Sequence, residues 1–395
     1  MRNIIITGGE LFNKGAEAMT FITVDELKKR FPNHKVYLLS DMDLKRPREE
    51  RKKYAFSFMG WYPIKFAKCQ SNWLLRLLCK LKNGSELKEA ENIYKNTDLM
   101  VDISGYALGS NWSYEYINTY LEHLEFAKAF KIPVFLMSQS FGPFDFKGEK
   151  AEELHSRIQW LLPEMQAICA REKEGYEALV NTYHLNNVYL SQDIVLNNIS
   201  INHQHIFVTV PQYDIPNIEG DAIGIIPNQR NFEVGNKETV YELYNGLINH
   251  ELGLDHRVYL LSHSSQDAKI CERLKQQFVN ESNVIWLDQD FSSIEFNEIV
   301  KKFKYVIASR FHSVVHAYKN AIPCIVLGWA TKYHDLTEMF GQKQYMVDVR
   351  DEIDAKKIIS QIEYLNGNLE EEKVKILGCL CNIQKANIFD ILTID

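Results

Sequence analysis

The fold is decided by one stretch of sequence, residues 304–327, which reads KYVIASRFHSVVHAYKNAIPCIVL. This stretch predicts a strand, a tight turn, a helix, a second turn and another strand. Arg310 and His312 lie at the first turn, where the first backbone N–H groups of a helix point into the crevice at the carboxyl end of a strand. A cation and a titratable imidazole at that place predict a binding site for an anion, with a proton-transfer group beside it.

Strand–helix alternation extends from this stretch in both directions. The strands are short, continuous apolar runs, which are typical of parallel sheets buried on both faces. The sequence therefore predicts an α/β protein. Outside the opening stretch, the predicted strands are 3–7, 35–40, 98–104, 133–138, 167–170, 222–227, 257–263, 284–287 and 345–349, and the predicted helices are 16–30, 114–130, 147–162, 173–183, 238–250, 267–278 and 292–303.

Two domains are expected, because 395 residues exceed the size at which one hydrophobic core stops growing. A polar stretch with two prolines, residues 197–220, is the predicted connection. We expect an N-terminal Rossmann-like domain at 1–200, with a helical insertion at about 42–96, and a C-terminal Rossmann-like domain at 201–395. The two face each other across a cleft at the carboxyl ends of both sheets.

Composition narrows the class of function. The chain is 46% hydrophobic and 25% charged, as is typical of a globular protein, and its net charge of −7 argues against nucleic-acid binding. No apolar stretch approaches the roughly 20 residues of a membrane span. The N-terminus lacks the features of a signal peptide, and the seven cysteines are scattered without zinc spacing, so a cytoplasmic location and no metal are expected.

The turn at Arg310 is the first candidate site. Phe311 is expected to begin the helix, with Ser309 as its cap and His312 in its first turn. The alternative is a structural salt bridge for Arg310 and an ordinary surface position for His312. The coincidence of strand end, helix N-terminus and crevice favours function. His316, one turn later, is interpreted as a packed histidine.

Other strand ends are expected to surround the same crevice. The first βα turn, which contains Asn13, Gly15 and Glu17, is suited to an anion or a sugar hydroxyl, and an ordinary glycine turn is the alternative. Arg171 is placed to reach across the cleft, although a simple surface pair with Glu172 is the preferred interpretation from this motif alone. Three further strand-end residues and one cation in a loop complete the set: Gly105, Gln139, Asp193 and Lys332.

Taken together, these motifs resemble the polysaccharide pyruvyl transferase family over residues 3–341. The most specific piece is the R-x-H after a strand, followed by a helix and Pro323. Two departures concern the N-terminal wall: Ala16 stands where many members have Asp, and Tyr106 follows Gly105 where a run of glycines is usual. The matching segments, in order, are Asn13-x-Gly15, Ser104-Gly105, Gln139, Gly142-Pro143, Ala170-Arg171-Glu172, Gln192-Asp193, Ser309-Arg310-Phe311-His312, Ile322-Pro323 and Lys332.

The resemblance implies a glycosyltransferase-B-like (GT-B-like) fold and an activity in cell-surface polysaccharide biosynthesis. Such enzymes transfer the enolpyruvyl unit of phosphoenolpyruvate to two hydroxyls of one sugar, which forms a pyruvate ketal and phosphate without a metal or other cofactor. It assigns the acid/base role to His312 and donor binding to Arg310 and Arg171, with Phe311 and Lys332 beside them. The acceptor, a sugar or a lipid-linked glycan, is expected on the N-terminal side of the cleft.

Two other functions remain open from the sequence. A nucleotide-sugar-dependent glycosyltransferase of the same architecture would place its diphosphate at the same helix N-terminus, but the helix after His312 lacks an acidic residue for the ribose. A non-catalytic sugar- or anion-binding protein is the third alternative. The aromatic stretch at 54–73 is interpreted as the packing of a helical insertion, and an acceptor entrance or a peripheral membrane contact is its alternative use.

Overall fold

The computed structural model describes residues 2–61, 88–197 and 200–394, and within these residues it contains two β-sheets in which all paired strands are parallel. Each sheet carries helices on both faces. The first sheet contains β1 (Asn3–Thr7), β2 (Lys35–Leu39), β3 (Ser57–Met59), β4 (Thr97–Asp102), β5 (Tyr106–Leu108), β6 (Val134–Phe141), β7 (Ala167–Ala170) and β8 (Val188–Leu190), and the second contains β9 (Ala222–Ile226), β10 (Arg257–Leu261), β11 (Val284–Leu287), β12 (Tyr305–Ala308), β13 (Cys324–Gly328) and β14 (Met346–Asp348).

Helices connect successive strands, as parallel pairing requires. Residues 88–95 are also helical, and short 3₁₀ turns occur at Leu162–Glu164, Lys343–Tyr345 and Ile388–Ile391. The α-helices are α1 (Lys14–Arg30), α2 (Asp41–Leu44), α3 (Arg48–Arg51), α4 (Tyr114–Ala129), α5 (Ala151–Leu161), α6 (Lys173–Tyr183), α7 (Ile194–Asn197), α8 (His203–Ile206), α9 (Gln229–Val234), α10 (Lys237–Gly253), α11 (Ser265–Gln277), α12 (Ser293–Val300), α13 (Phe311–Lys319), α14 (Thr331–Met339), α15 (Ala355–Gly367) and α16 (Leu369–Ile383).

Strand order defines two Rossmann-like units. The second sheet runs β11-β10-β9-β12-β13-β14, and the first runs β3-β2-β1-β4-β6-β7-β8 with β5 beside β6. In each sheet the first strand in sequence lies centrally, and the order in which strands are added reverses beside it, between β1 and β4 and between β9 and β12. Ligands bind in the crevice at such a switch point. The predicted α/β class with two Rossmann-like domains is confirmed.

The apolar runs form the interior, as predicted. Every residue of β1, β9, β12 and β13 is buried. Fully burying one such side chain contributes about 1.5–3 kcal/mol. The strands β3, β5 and β8 were not predicted; each has three residues, too few for a recognisable apolar run. In the predicted insertion, the described residues form α2, α3, β3 and the helical segment 88–95.

We call the unit built on the first sheet the first lobe and the unit built on the second sheet the second lobe. Side-chain and backbone contacts join the two lobes. Near the start of α1, Lys14 Nζ lies 2.8 Å from Asp290 Oδ1, and Glu17 Oε2 accepts a hydrogen bond from the Ser293 backbone N–H at 2.5 Å. The chain also returns to the first lobe after α16, where the Ile388 backbone N–H donates to Asn197 Oδ1 at 3.1 Å. These contacts fix the lobes around the cleft. The division near residue 200 stays a prediction.

Two sequence interpretations concern packing and membranes. Tyr54 is half-buried and packs against Phe21 and Phe207, with ring centroids 6.2 and 5.6 Å away, so this part of the aromatic stretch packs against the core. Residues 62–73 of that stretch lie outside the described residues. Across the described segments, no helix combines the length and the apolar character that crossing a bilayer needs.

Candidate active site

The helix α13 presents its N-terminus to the cleft. Its apolar face anchors it, because Val314, Val315 and Tyr318 are fully buried. The residue that precedes the helix in extended conformation is Arg310, and no side chain caps the first turn. The prediction of Ser309 as the cap was therefore wrong: its hydroxyl is buried 2.6 Å from Tyr244 Oη instead. The uncapped N–H groups carry the positive end of the helix dipole, which favours an anion.

His312 lies where the two lobes meet. Its Nε2 is 3.5 Å from Asp193 Oδ2 of the first lobe, and its side chain is only 16% exposed. On the other side, the ring lies against the start of α1, where a Cβ built on Gly15 would be 2.3 Å from Nδ1. The imidazole is thus held between a carboxylate and a backbone. Asp193 is suited to orient this ring.

Asp193 stays ionised in this environment. Burial alone would raise its pKa, but the facing His312, the Arg171 guanidinium and a hydrogen bond from the Val195 backbone N–H together bring the pKa well below its usual range. Arg171 Nη1 donates to Asp193 Oδ2 at 2.8 Å, the same oxygen that faces His312. One carboxylate therefore links a guanidinium of the first lobe to the imidazole of the second.

Arg171 is buried and already bonded on several sides. Besides Asp193, it donates to Glu172 Oε1 at 2.8 Å and to Ser140 Oγ at 2.7 Å, and its guanidinium carbon lies 4.6 Å from the centre of the Phe311 ring. The structure places Arg171 beside Phe311 of the second lobe and in contact with Asp193, the carboxylate that faces His312. Its pairing with Glu172 is a buried contact and not a simple surface pair.

Removal of the Asp193 carboxylate is expected to destabilise the protein. Arg171 would remain buried with one carboxylate fewer, and breaking a buried pair of this kind costs about 3–5 kcal/mol. Chemical denaturation of Asp193→Ala should show this decrease in the free energy of unfolding. As a control, Glu219→Ala removes one partner of an ion pair whose side chains are 41% and 58% exposed, and should cost at most about 1 kcal/mol. Equal effects of the two changes would contradict the buried network.

Arg310 is held rigidly at the strand end. Its Nε and Nη2 donate to the two carboxylate oxygens of Asp267 at 2.9 and 2.8 Å, and Nη2 also donates to Ser264 Oγ. The expected alternative of a salt bridge is therefore present in the structure. The same side chain lines the cleft cavity. The bidentate pair fixes the plane of the guanidinium, and Nη1 lies on the edge of the guanidinium that faces away from Asp267.

A second helix N-terminus reaches the same cavity. Trp329–His334 was interpreted as a loop, but α14 begins at Thr331 and has no side-chain cap. Lys332 in its first turn lies 5.1 Å from the centre of the Phe311 ring. Burial, followed by the charge of Arg171, lowers the pKa of Lys332 to about 8. Within the described residues no carboxylate lies within ion-pair distance of Lys332, so this cation is available to a bound anion.

The groups converge on one cavity of about 970 Å³ between the lobes. Five predicted site residues line it: Asn13, Arg310, Phe311, His312 and Lys332. The other six lie outside this lining in the described structure: Gly15 packs on His312, Asp193 and Arg171 form the network behind it, Glu17 binds the Ser293 N–H, Gly105 accepts from Arg171 with its carbonyl, and Gln139 donates to Asp102 in the interior.

The sequence analysis missed several lining residues. His263 is 3% exposed and lines the cavity, and burial, with the charge of His312 next, keeps its pKa well below the usual range, so its imidazole is neutral. Tyr106 of the first lobe and Trp329 of the second lobe also line the cavity. A signal for His263 was present, because it follows the apolar run of β10. No group of three or more His, Cys, Asp or Glu in the described residues is arranged to hold a metal.

The fold and site together define a class. Two Rossmann-like units, with a cleft at their switch points that is lined by cations and an imidazole, form a GT-B-like protein. Solved structures agree: UDP-GlcNAc 2-epimerase from Methanocaldococcus jannaschii is 14% identical over 92% of both chains with a TM-score of 0.59. The Neisseria meningitidis enzyme bound to UDP-GlcNAc is 14% identical over 95% of this chain and 94% of that chain, with a TM-score of 0.58. Trehalose-6-phosphate synthase OtsA is 8% identical over 98% of both chains, with a TM-score of 0.56.

The family is given by the sequence model of polysaccharide pyruvyl transferases, which matches residues 13–331. This chain belongs to the polysaccharide pyruvyl transferase family, and the resemblance noted from its motifs is confirmed. No curated protein sequence matches the chain. The identities to the solved structures are low, and they support the fold alone.

Proposed function

We propose that this protein transfers the pyruvate unit of phosphoenolpyruvate to two hydroxyls of a sugar as a ketal, with release of phosphate, in cell-surface polysaccharide biosynthesis. Membership of the polysaccharide pyruvyl transferase family supports a transferase with a donor and a sugar acceptor. The specific donor is supported by one observation: two uncapped helix N-termini, an imidazole and a lysine with no carboxylate partner among the described residues all line the same cavity.

The donor-binding part of the proposal rests on charge. Phosphoenolpyruvate carries a phosphate and a carboxylate within a few ångströms. The N-terminus of α13 with Arg310 is suited to one anionic group, and the N-terminus of α14 with Lys332 to the other. The ring of Phe311 is close to two cations, because the Arg171 guanidinium carbon and Lys332 Nζ lie 4.6 and 5.1 Å from its centre. Arg171 contributes through Asp193 in this account, and not by direct contact with the donor.

The proposed reaction conserves atoms and protons. A proton is added to the methylene carbon C3, which makes C2 electrophilic, and the first sugar hydroxyl forms a bond to C2 and loses its proton. The bond between C2 and the phosphate oxygen breaks, and phosphate leaves with one proton. The second hydroxyl then bonds to C2 and loses its proton, which closes the ketal. His312, oriented by Asp193, is the group assigned to move protons in this sequence.

A nucleotide-sugar-dependent glycosyltransferase is the second candidate. It is supported by the fold, which solved structures with bound uridine nucleotides share, and by a cavity of about 970 Å³. Saturation-transfer NMR with phosphoenolpyruvate and with UDP-GlcNAc separates the two functions. We expect transfer to phosphoenolpyruvate; transfer to UDP-GlcNAc alone would favour the second candidate. Binding of phosphoenolpyruvate without phosphate release in the presence of any glycan would favour a non-catalytic anion-binding protein.

Donor binding is expected to weaken as the pH rises through about 8. The pKa of Lys332 is lowered to about 8, so its ammonium is charged below that pH and is lost above it. Between pH 7 and pH 9.5 the affinity for phosphoenolpyruvate, measured by calorimetry, should fall about tenfold. In Lys332→Arg the affinity should stay nearly constant, because a guanidinium remains charged. A wild-type affinity that does not change over this range would exclude Lys332 from the donor site.

A further inference from the structure

We propose that His263 donates a hydrogen bond to an anionic oxygen of the donor, as a second histidine of the site with a task different from that of His312. This assignment rests on the proposed function, because it adds a residue to the same donor site. It is carried by one feature of the cleft. His263 is 3% exposed and lines the cavity, and its buried Nε2 has no hydrogen-bond partner among the described residues.

The position of His263 follows from the register of the second sheet. One row of this sheet contains a residue from each of three neighbouring strands: Leu260 of β10, Ile225 of β9 and Ile307 of β12. Three residues farther along these strands come His263, Asn228 and Arg310, which all line the cleft cavity. His263 therefore lies at the same carboxyl edge of the sheet as Arg310, beside the switch point where ligands bind.

The other two residues at this edge already have hydrogen-bond partners. Asn228 Nδ2 donates to a backbone carbonyl at 3.1 Å, and Arg310 forms its bidentate pair with Asp267. His263 packs against the buried ring of Phe296, with ring centroids 5.1 Å apart and an interplanar angle of 84°. This packing contact holds the imidazole in place and leaves Nε2 without a polar partner in the described structure.

Two other buried histidines of the second lobe show the usual arrangement. His256 Nδ1 lies 2.7 Å from Glu251 Oε2, and His316 Nδ1 lies 3.1 Å from Asn297 Oδ1. An unpartnered polar atom in a protein interior costs free energy, and an apolar side chain at the same place would avoid this cost. A histidine at position 263 is therefore explained by a hydrogen bond that forms when a ligand occupies the cavity.

The chemistry of His263 suits a hydrogen-bond donor that does not transfer protons. Burial lowers the pKa of its imidazole well below the usual range, and the positive charges of His312 and Arg310 lower the pKa further. A neutral imidazole carries one N–H, which can donate to a phosphate or carboxylate oxygen. The site thus contains two histidines with separate tasks: His312 transfers protons beside Asp193, and His263 holds an oxygen of the bound donor.

The test is phosphoenolpyruvate binding by the full-length protein, measured by calorimetry in the wild type, His263→Leu and His263→Gln. Leucine removes the polar group, whereas glutamine keeps an N–H donor. We expect the affinity to fall at least about tenfold in His263→Leu and to stay within about threefold of the wild type in His263→Gln. Turnover at saturating phosphoenolpyruvate should change less than about threefold in both variants, because a contact made equally in ground state and transition state affects KM and not kcat.

The matched control is His250→Leu. His250 Nε2 is also buried without a partner among the described residues, but His250 does not line the cleft cavity, so this variant should bind phosphoenolpyruvate as the wild type does. Thermal unfolding should show the variants folded, and His263→Met, a second apolar variant, carries the same expectation as His263→Leu. Unchanged affinity in either folded apolar variant, or an equal loss in His263→Gln, would overturn the role of His263.

Inorganic phosphate, titrated into the same proteins and followed by ³¹P NMR, separates this assignment from the proposed function. If the wild type binds phosphate but not phosphoenolpyruvate, the proposed function is contradicted, and weaker phosphate binding by His263→Leu would still support the anion contact of His263. Normal turnover of phosphoenolpyruvate with equal donor affinity in the wild type and His263→Leu would contradict the role of His263 alone. Binding of neither anion by the wild type would overturn both.

Discussion

Replacement of His312 by alanine is expected to lower phosphate release from phosphoenolpyruvate by about 10²–10⁴-fold, the usual contribution of a positioned acid/base group. The imidazole lies at the N-terminus of α13, lines the cleft cavity and faces the Asp193 carboxylate at 3.5 Å. In our proposal this side chain gives a proton to the donor and removes one from the acceptor. The rate is measured with a glycan that supports turnover in the wild type.

The control for this variant is His334→Ala. His334 is 42% exposed and does not line the cleft cavity, so its removal should leave phosphate release within about twofold of the wild type. Circular dichroism and thermal unfolding should show both variants folded. Near-normal turnover by a folded His312→Ala protein would eliminate the proposed acid/base role.

Gly15→Ala is expected to reduce turnover by about 10²-fold although it adds a single methyl group. The new Cβ would lie 2.3 Å from Nδ1 and 2.4 Å from Cγ of His312, distances that require the imidazole to move. Misplacement of a catalytic group by about 1 Å costs a factor of this size. The donor anion contacts Lys332 and Arg310 in our account, so phosphoenolpyruvate affinity should change little while the rate of phosphate release falls.

Gly246→Ala is the matched control for this change. Gly246 lies within α10, and a Cβ there would meet no atom within 4 Å. Alanine in a helix interior is favoured over glycine by about 0.5–1 kcal/mol, so this variant should keep full turnover and unfold at an equal or higher temperature. If Gly15→Ala kept normal turnover as well, the contact between α1 and His312 would have no role in catalysis.

The central strands of both sheets were predictable from apolar runs in the sequence, but the short strand β5 and the start of α14 were not. The strands around the switch points were predicted because runs such as Asn3–Thr7 and Tyr305–Ala308 must be buried on both faces. The strand β5 lies off the main path of its sheet and pairs only with β6, which no local pattern shows. The start of α14 was missed for a related reason: this helix has no capping side chain, so the usual start signal is absent.

The candidate site was predictable to the extent that chain topology placed its residues. Arg310 and His312 lie at the carboxyl end of β12, next to β9, as the strand-end rule predicts. Asp193 was expected at the same crevice, but its contact with His312 was not predicted, and Asp267, which holds Arg310, was not among the candidates, since these contacts join distant segments that meet only in the folded protein. The sequence therefore indicated which charged side chains line the cleft, but not which carboxylates pair with them. These ion pairs decide which cation is available to a ligand.

The central claim is that this cleft holds phosphoenolpyruvate, and its most direct test compares donor binding in the wild type and in Lys332→Met by saturation-transfer NMR near pH 7. The account predicts saturation transfer to phosphoenolpyruvate in the wild type, with affinity reduced at least about tenfold in the variant because one charge-assisted contact is lost. Transfer to UDP-GlcNAc but not to phosphoenolpyruvate, or equal phosphoenolpyruvate affinity in both proteins, would contradict it.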